Sequence, residues 1–360
     1  MRRAGAACGV AVSMGLLAAF CQPAQALVIA PTYTTAINTA PNSADIKSSI
    51  NTAIGAIEHL YADPGTINII FNLTAGGFLG QSQTAYYSGS YSLYTTLLQI
   101  DALSHPWNHT LATALAHLSQ GNDANGLRPI AATSGLFRVG LNAAGVTPCF
   151  NASGTFFGSC NQAYDGIITL SSSQPIQYTR PIPAFNGTNT TFDAVAIIEH
   201  EMDEILGGGG AGSTLNSIAS FGLNNARSSL TFDDGPLDLY RYSAAHVPSF
   251  TTSAAASSYF SIDGGVTRII GFNQNSTGDF GDFGPNTLCP GGGTGGPSNV
   301  VQDAFTCRNQ MANESTTSPE FQMMTSIGWD PVPEPSTLAL LGITLGGAWV
   351  ARRRSHRRLV

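Results

Sequence analysis

The chain has 360 residues, of which 43% are hydrophobic and only 10% charged, whereas about 25% of residues are charged in an average protein. Lys47 is the single lysine among 15 basic residues. The chain therefore lacks the basic face that nucleic-acid binding needs, and its composition argues against a cytosolic housekeeping enzyme. The hydrophobic fraction can supply a core, which argues against disorder, and the length fits one large or two small domains.

The N-terminus predicts a secretory signal peptide over residues 1–26. Met1-Arg2-Arg3 is a short basic start, residues 4–20 are small and apolar, and Ala24-Gln25-Ala26 is an A-x-A cleavage site. A lipoprotein is excluded, because Phe20 is too bulky for cleavage before Cys21.

The next part of the chain predicts alternating helices and strands. Isoleucines at spacings of three and four over residues 43–61 predict a helix with one apolar face and Ser43 as its N-cap. Residues 66–73 are β-branched and apolar, which predicts a strand. The elements predicted after it are an edge strand or hairpin over 76–90, helices over 91–103 and 111–118, and strands over 137–141 and 166–170. This order predicts an α+β fold.

Charge and cysteines bound the mature domain further. Residues 27–330 contain 8 basic and 21 acidic residues, a net charge of −13, which suits cations better than anionic partners. The four cysteines left after signal cleavage form two pairs that are close in sequence, Cys149/Cys160 and Cys289/Cys307. Export favours two local disulfides, and the alternative is one metal site built from all four thiolates.

The last third of the domain predicts short elements and long loops. It begins with the glycine-rich segment 207–212 and contains a long Gly/Asn/Asp loop over 273–299. Short strands or turns are predicted over 237–242 and 258–262. A final helix is predicted over 318–327, with Ser318 as cap and Pro319 at its first position.

One segment carries residues suited to chemistry. Residues 191–206 read TFDAVAIIEHEMDEIL, with Val195, Ile198, Met202 and Ile205 at helical spacing. The other face of this helix carries Glu199, His200, Glu201, Asp203 and Glu204. His200 and Glu204 lie one turn apart and only about 40° apart around the axis, so both side chains can bind one ion.

A solvated polar face is the alternative for this segment. Two costs argue against it. The four carboxylates repel each other by about 0.2–0.5 kcal/mol per pair, and they lie towards the helix C-terminus, where the macrodipole disfavours negative charge. A bound divalent cation would offset both costs.

The motif His200-Glu201-Met202-Asp203-Glu204, followed by Ile205-Leu206-Gly207, resembles the H-E-x-x-H-x-x-G helix of zincins, with Glu204 in place of the second histidine. The elements before it resemble a metzincin-type N-terminal half with a twisted mixed sheet. Segments 237–243, 259–265 and 324–330 resemble those of metzincin-like H-E-x-x-E metalloproteases that carry PEP-CTERM tails. The resemblance implies a catalytic domain with an N-terminal half over 27–206 and an irregular C-terminal subdomain over 207–330.

The resemblance also implies residue roles. His200 and Glu204 would bind one Zn²⁺, and Glu201 would be the general base that activates water and then protonates the leaving amine. Gly210 stands where the family has a third ligand. The predicted third ligand is His246, with Asp233, Asp234 and Asp238 as further candidates. The candidate stabiliser of the oxyanion is Tyr242.

Other candidate residues have simpler alternatives. Met323 and Met324 could form an apolar base under the metal or simply pack in the core. Asp279 and Asp282 could bind Ca²⁺, but no EF-hand spacing is present, and a solvated loop is the favoured interpretation. The remaining histidines are not expected to bind metal, and these are His59, His105, His109 and His117.

The C-terminus resembles the PEP-CTERM sorting signal. Val332-Pro333-Glu334-Pro335-Ser336 precedes an apolar stretch over 337–351, and an arginine cluster follows it. The stretch predicts a short transmembrane helix over part of the tail 331–360, although spanning helices usually have about 20 residues. The resemblance implies a Gram-negative envelope protein that is held transiently in the inner membrane and handled by an exosortase.

The sequence therefore predicts an exported zinc-dependent endopeptidase that acts on a protein or peptide. Two alternatives stay open. One is a non-catalytic surface or extracellular matrix protein on a degenerate zincin scaffold, which the Ser-, Thr-, Asn- and Gly-rich composition suits. The other keeps the metal, Zn²⁺ or Ca²⁺, in a purely structural site.

Overall fold

In a computed structural model, the described residues are 27–118, 128–151, 160–216, 233–284, 287–289, 294–295 and 300–333. The predicted signal peptide and the predicted helix of the tail lie outside them. In the part of the chain that is described, no helix is both long and apolar enough to cross a bilayer.

The fold class is α+β, as predicted. The helices in chain order are α1 (Thr35–Asn38), α2 (Ser43–Leu60), α3 (Tyr91–Ser104), α4 (His109–His117), α5 (Ala194–Leu206) and α6 (Pro319–Ile327). The strands in chain order are β1 (Leu27–Tyr33), β2 (Gly65–Thr74), β3 (Gly80–Thr84), β4 (Tyr86–Gly89), β5 (Ile130–Thr133), β6 (Gly166–Ser171), β7 (Ile176–Gln177), β8 (Phe192–Asp193), β9 (Arg241–Ala244), β10 (Val247–Pro248), β11 (Tyr259–Phe260), β12 (Ile270–Gly271), β13 (Thr287–Leu288) and β14 (Thr294–Gly295).

The main sheet has the order β1-β2-β6-β3. The first three strands are parallel, and β3 runs antiparallel to β6 at the edge. The β-branched and apolar residues of β2 make it a buried central strand, with Ile67, Ile69 and Phe71 fully buried. Strands β2 and β6 match their predicted ranges within one or two residues. The edge strand predicted over 76–90 divides into β3 and β4, and β4 pairs with β5 instead of joining the main sheet.

Helices α2 and α5 pack against each other, and α5 also packs against β3. The predicted apolar face of α2 is confirmed, since its isoleucines are buried, and each such side chain contributes about 1.5–3 kcal/mol. Ser43 is the first helical residue and not the cap, because Asn42 occupies that position. This packing places α5 beside the edge strand of the sheet.

The strand predicted over 137–141 is wrong. Residues Leu136–Gly140 form a π-helical turn, and the nearby strand is β5. The segment is buried except for Arg138, whose guanidinium pairs with Asp165 at 2.5 Å. A short apolar run that is buried on all sides has no periodicity that separates a strand from a helical turn.

The last third of the domain forms a second sheet, β10-β9-β11-β12, all antiparallel. Both predicted disulfides, Cys149–Cys160 and Cys289–Cys307, are present, so these thiols are not metal ligands. The predicted cap of α6 is confirmed, because Ser318 Oγ accepts a hydrogen bond from the Phe321 amide. The hydrophobic core is continuous across residue 206, from α2 and β2 to Met324 and Trp329.

Candidate metal centre

Helix α5 is fixed at both ends. The Asp193 side chain caps its start by accepting from the Val195 amide at 3.3 Å. The helix ends at Gly207, whose φ of 100° lies in the left-handed region that glycine adopts without strain. Every residue of α5 except His200 is buried. The acidic side chains of this helix therefore lie inside the protein, and the solvated polar face does not occur.

His200 is held in one orientation. Its Nδ1 donates a hydrogen bond to the Val301 carbonyl at 2.9 Å, which leaves Nε2 to face the other candidate ligands. A metal-binding histidine is usually fixed in this way through its second nitrogen. The amide nitrogen of Gln302 lies 3.3 Å from Nε2.

Glu204 and Asp282 meet His200 at one point. Ligand atoms of the three side chains all lie within 4.8 Å of one another, and Asp282 Oδ2 is 3.7 Å from His200 Nε2. Ser82 of β3 donates a hydrogen bond to Glu204, and Gln302 donates to Asp282 at 3.0 Å. An imidazole and two carboxylates fit Zn²⁺, which binds nitrogen and oxygen donors at about 2.0–2.2 Å. We call this set the cavity trio.

Glu201 lies beside the cavity trio and is 6% exposed. Its carboxylate packs against β3 so closely that a Cβ built on Gly80 would lie 2.5 Å from Oε1. Burial, and next the charge of Glu204, raise the pKa of Glu201 well above its usual value, while His200 opposes the shift. A raised carboxyl pKa is suited to general acid–base work near neutral pH.

The charges of the cavity trio shift one another's pKa values. Burial lowers the pKa of His200, but the charges of Asp282, Glu201 and Glu204 outweigh burial and raise it to about 10. Burial raises the pKa of Asp282 well above its usual value, with His200 opposing. The raised pKa values favour protonated side chains here, and a divalent cation that binds would displace those protons.

The cavity trio opens into a cavity of about 890 Å³. Its walls come from β3 and the residues before it, from α5, and from two loops of the last third of the domain, over residues 276–282 and 301–306. Because β3 is an edge strand, an extended chain can approach it from the cavity side. The volume is in the range of pockets that bind organic ligands.

The other acidic side chains of α5 point away from the cavity. Glu199 and Asp203 are fully buried, and Glu199 Oε2 accepts from the Glu314 amide at 2.7 Å. Burial, followed by the charges of Glu314 and Glu320, raises the pKa of Asp203 well above its usual value. We call Glu199, Asp203, Glu314 and Glu320 the sealed cluster.

The structure does not bring the predicted third ligand to His200 and Glu204. His246 lies exposed in the turn between β9 and β10, with φ 59°. Tyr242 is 1% exposed and pairs with Tyr259 within the second sheet, away from the residues that line the cavity. Tyr242 belongs to the second sheet and His246 to the exposed turn that joins two of its strands, and sequence spacing carries no information on that placement.

Most of the further candidate residues have structural roles. Asp234 pairs with Arg128 at 2.9 Å, and Asp238 accepts from the amides of Gly235 and Thr214. Met323 and Met324 are buried and pack under Gly208, just past the end of α5. His59 is exposed, and Asp233, His109 and His117 lie outside both groups of residues that could hold a metal in the described part of the chain. His105 belongs to the second of those groups.

Asp282 is the residue that the sequence argument misplaced. A solvated loop was the favoured interpretation, but Asp282 is 2% exposed. Gly210, the position where zincins carry a ligand, packs its backbone against Glu204, because a Cβ there would lie 2.5 Å from Oε1.

Tyr86 is a second residue near the site that the sequence argument did not identify. Burial of its hydroxyl and the charges of Glu204 and Asp279 raise its pKa, although its ring is half exposed.

Comparison with known protein families gives a match at the C-terminus. Residues 331–354 match the family model of the PEP-CTERM protein-sorting motif. The chain carries a PEP-CTERM sorting motif. This motif implies recognition by the exosortase sorting machinery and export to the cell envelope. No curated protein and no solved structure matches the chain.

Proposed function

We propose that this protein is an exported, zincin-like, zinc-dependent endopeptidase. The observation that carries the proposal is the convergence of His200, Glu204 and Asp282 on one point in the cavity, with Glu201 beside them. A zinc ion held there would supply Lewis acidity, which polarises a carbonyl and acidifies water. Three protein ligands is the number that catalytic zinc sites use.

The residues of the chain divide the remaining work. Glu201 accepts a proton from the attacking water and then delivers it to the leaving amine, for which its raised pKa suits it. The Val301 carbonyl holds the His200 ring, and Ser82 holds Glu204. Tyr86, whose hydroxyl is close enough to Glu204 for that charge to raise its pKa after burial does, is our candidate donor for the developing oxyanion, a role that the resemblance assigned to Tyr242.

An extended peptide is the substrate that the cavity shape favours. The edge strand β3 forms one wall, and its backbone can pair with an added strand, which is a common way to bind peptides. The cavity floor carries three carboxylates, those of Glu201, Glu204 and Asp282, and a single dication does not neutralise all three when they are ionised. The remaining negative charge argues against acidic substrates. An export route to the envelope gives such an enzyme extracytoplasmic proteins to act on.

The decisive experiment measures zinc content and cleavage of casein by the purified chain. Glu201→Gln should keep the zinc content of the wild type and lose roughly 100- to 10,000-fold in cleavage rate. His200→Ala should lose about one zinc per chain together with cleavage. Two exposed residues of α2 supply matched controls, Asp45→Asn and His59→Ala, and neither should change either quantity.

Each alternative has a distinct outcome. Zinc held by His200 without any cleavage by the wild type would indicate a structural metal site. Absence of both zinc and cleavage would favour the non-catalytic matrix protein. Unchanged zinc content in His200→Ala would contradict the site assignment itself.

A further inference from the structure

A second histidine and two carboxylates meet outside the cavity. Asp101 and His105 lie one turn apart at the C-terminal end of α3, and Asp330 follows α6. His105 Nδ1 is 2.9 Å from Asp101 Oδ1 and 2.5 Å from Asp330 Oδ2. Ligand atoms of the three residues all lie within 4.8 Å of one another, and none of the three lines the cavity.

These contacts leave the carboxylates unsatisfied. One imidazole nitrogen carries at most one proton, so it cannot donate to both carboxylates. Among the described residues, both oxygens of Asp330 and Oδ2 of Asp101 are buried without a well-aligned hydrogen-bond donor, although His105 Nδ1 and the Asn108 side chain lie close to Asp330. Asp330 is only 1% exposed and Asp101 8%. Burying carboxylates without partners is costly unless a positive charge accompanies them.

A third carboxylate increases the negative charge at this place. Asp63 is buried and accepts a hydrogen bond from the Asp330 amide at 3.0 Å. The His105 side chain is 28% exposed, so an ion can reach the cluster from solvent. The cluster therefore combines buried acceptors, one imidazole and access from solvent.

We propose that Asp101, His105 and Asp330 bind one divalent transition-metal ion, with zinc as the ion that fits the donors best. Imidazole is a poor ligand for Ca²⁺, which prefers six to eight oxygens, whereas one nitrogen and two carboxylate oxygens suit Zn²⁺. Ligands of a tetrahedral zinc lie about 3.3 Å apart, given bonds of about 2.0 Å. The His105 ring and the carboxylates need to separate by less than about 1 Å to reach that spacing.

The position of this ion indicates a structural role. Asp330 directly precedes the sorting motif at residues 331–354. The backbone around it is held by two more hydrogen bonds, from the Ala62 amide to the Asp330 carbonyl at 2.8 Å and from Trp107 Nε1 to the Pro331 carbonyl at 3.1 Å. A metal here fastens the end of the folded domain to α3 where the sorting signal begins. This structural site does not depend on the proposed peptidase function.

The test counts zinc in metal-stripped, reloaded full chain by atomic absorption and follows unfolding with heat. His200→Ala removes the cavity site, so it should keep one zinc per chain, and His200→Ala/Asp330→Asn should keep none. Zinc at about 100 times its Kd should raise the Tm of His200→Ala by roughly 5 °C and leave the double variant unchanged. His105→Ala, at a partly exposed residue, replaces Asp330→Asn if the latter fails to fold.

The matched control is His59→Ala in the His200→Ala background, which should retain its zinc and its Tm rise. The proposal is overturned if His200→Ala holds no zinc, or if Asp330→Asn and His105→Ala both keep the remaining ion. In those cases the two carboxyls share a proton beside His105. Either result leaves the peptidase proposal standing, because that proposal is tested by Glu201→Gln and by cleavage.

Discussion

The two acidic faces of helix α5 differ in what neutralises them. On the cavity side, His200 and Glu204 meet Asp282, and on the other side Glu199 and Asp203 meet Glu314 and Glu320 without a histidine. Both sets are buried and both have carboxyl pKa values above the usual range. The sealed cluster has the positive charge of Arg180 acting on Glu199 but no imidazole, whereas the cavity trio offers an imidazole nitrogen and open space for a ligand.

The two faces are connected through one short segment. Glu320 Oε1 accepts hydrogen bonds from the amides of Val301 and Gln302 at 2.7 and 2.9 Å. The Val301 carbonyl holds His200, and the Gln302 side chain holds Asp282. A carboxylate on the sealed side thus positions the residues that orient the cavity trio. The comparison teaches that a buried acidic helix can combine a rigid support and a reactive surface on its two sides.

Removing the third ligand should have the largest effect on the cavity face. Asp282→Ala should weaken zinc binding at the cavity by at least about 100-fold and lower cleavage in parallel, because two ligands hold zinc poorly. Isothermal titration with zinc in the Asp330→Asn background measures this site alone. His246→Ala should leave affinity unchanged. A loss of zinc in His246→Ala with none in Asp282→Ala would reverse the assignment of the third ligand.

Substitutions at two tyrosines, Tyr86 and Tyr242, distinguish a catalytic role from a packing role. Tyr86→Phe should lower kcat by about 10- to 100-fold with zinc content kept, because it removes a donor for the oxyanion. Tyr242→Phe keeps the buried ring and should leave kcat within about twofold. Steady-state kinetics on a fluorogenic peptide give both values. Equal kcat for Tyr86→Phe and wild type would remove Tyr86 from the mechanism.

The sealed cluster should make the stability of the protein depend on pH. Burial raises the pKa of Glu314 from 4.5 to about 8, so the folded protein holds a proton that the unfolded chain releases. The free energy of unfolding therefore falls as the pH rises from about 4.5 to about 8. Glu314→Gln should reduce the slope of the free energy of unfolding against pH by up to about 1.4 kcal/mol per pH unit.

Urea unfolding of the metal-free protein at pH 5, 6.5 and 8 measures this slope. The exposed Asp45→Asn variant should keep the wild-type slope. An unchanged slope in Glu314→Gln would show that Glu314 is already ionised in the folded protein.

The smallest expected effect comes from β3. Gly80→Ala places a methyl group against Glu201 Oε1 and Ile197 Cγ2, at 2.5 and 2.8 Å before adjustment. The flexible Glu201 carboxylate should shift, which lowers cleavage a few-fold with zinc content kept. Gly77→Ala meets nothing within 4 Å and serves as control. Identical cleavage by both variants would mean that the position of Glu201 does not limit the rate.

Elements with strong periodicity were predictable from the sequence. The isoleucine spacing defined α2, and the H-E-x-x-E spacing placed His200 and Glu204 one turn apart on α5. Both conclusions depend only on the geometry of one helix. The two disulfides were also predictable, because short loops and export favour local pairs.

Features that depend on tertiary contacts were not predictable. Asp282 lies in an irregular loop that is distant from α5 in sequence and is held beside it by Gln302 and the chain around Phe283, so no local pattern marks it as a ligand. Strand β1 was not identified, because its sequence LVIAPTY is short and contains a proline. Proline is tolerated there because β1 is an edge strand.

Trp329 has a consequence for the time at which the protein can fold. Its ring is completely buried, and its Nε1 donates to the Leu206 carbonyl at 2.9 Å, at the end of α5. The first strand of the domain begins at Leu27, while this indole lies at the other end of the domain, just before the sorting motif at residues 331–354. A chain that emerges from a translocation channel N-terminus first therefore cannot finish its core until its final residues have passed through. The activity proposed for the cavity would then be withheld until export of the domain is complete.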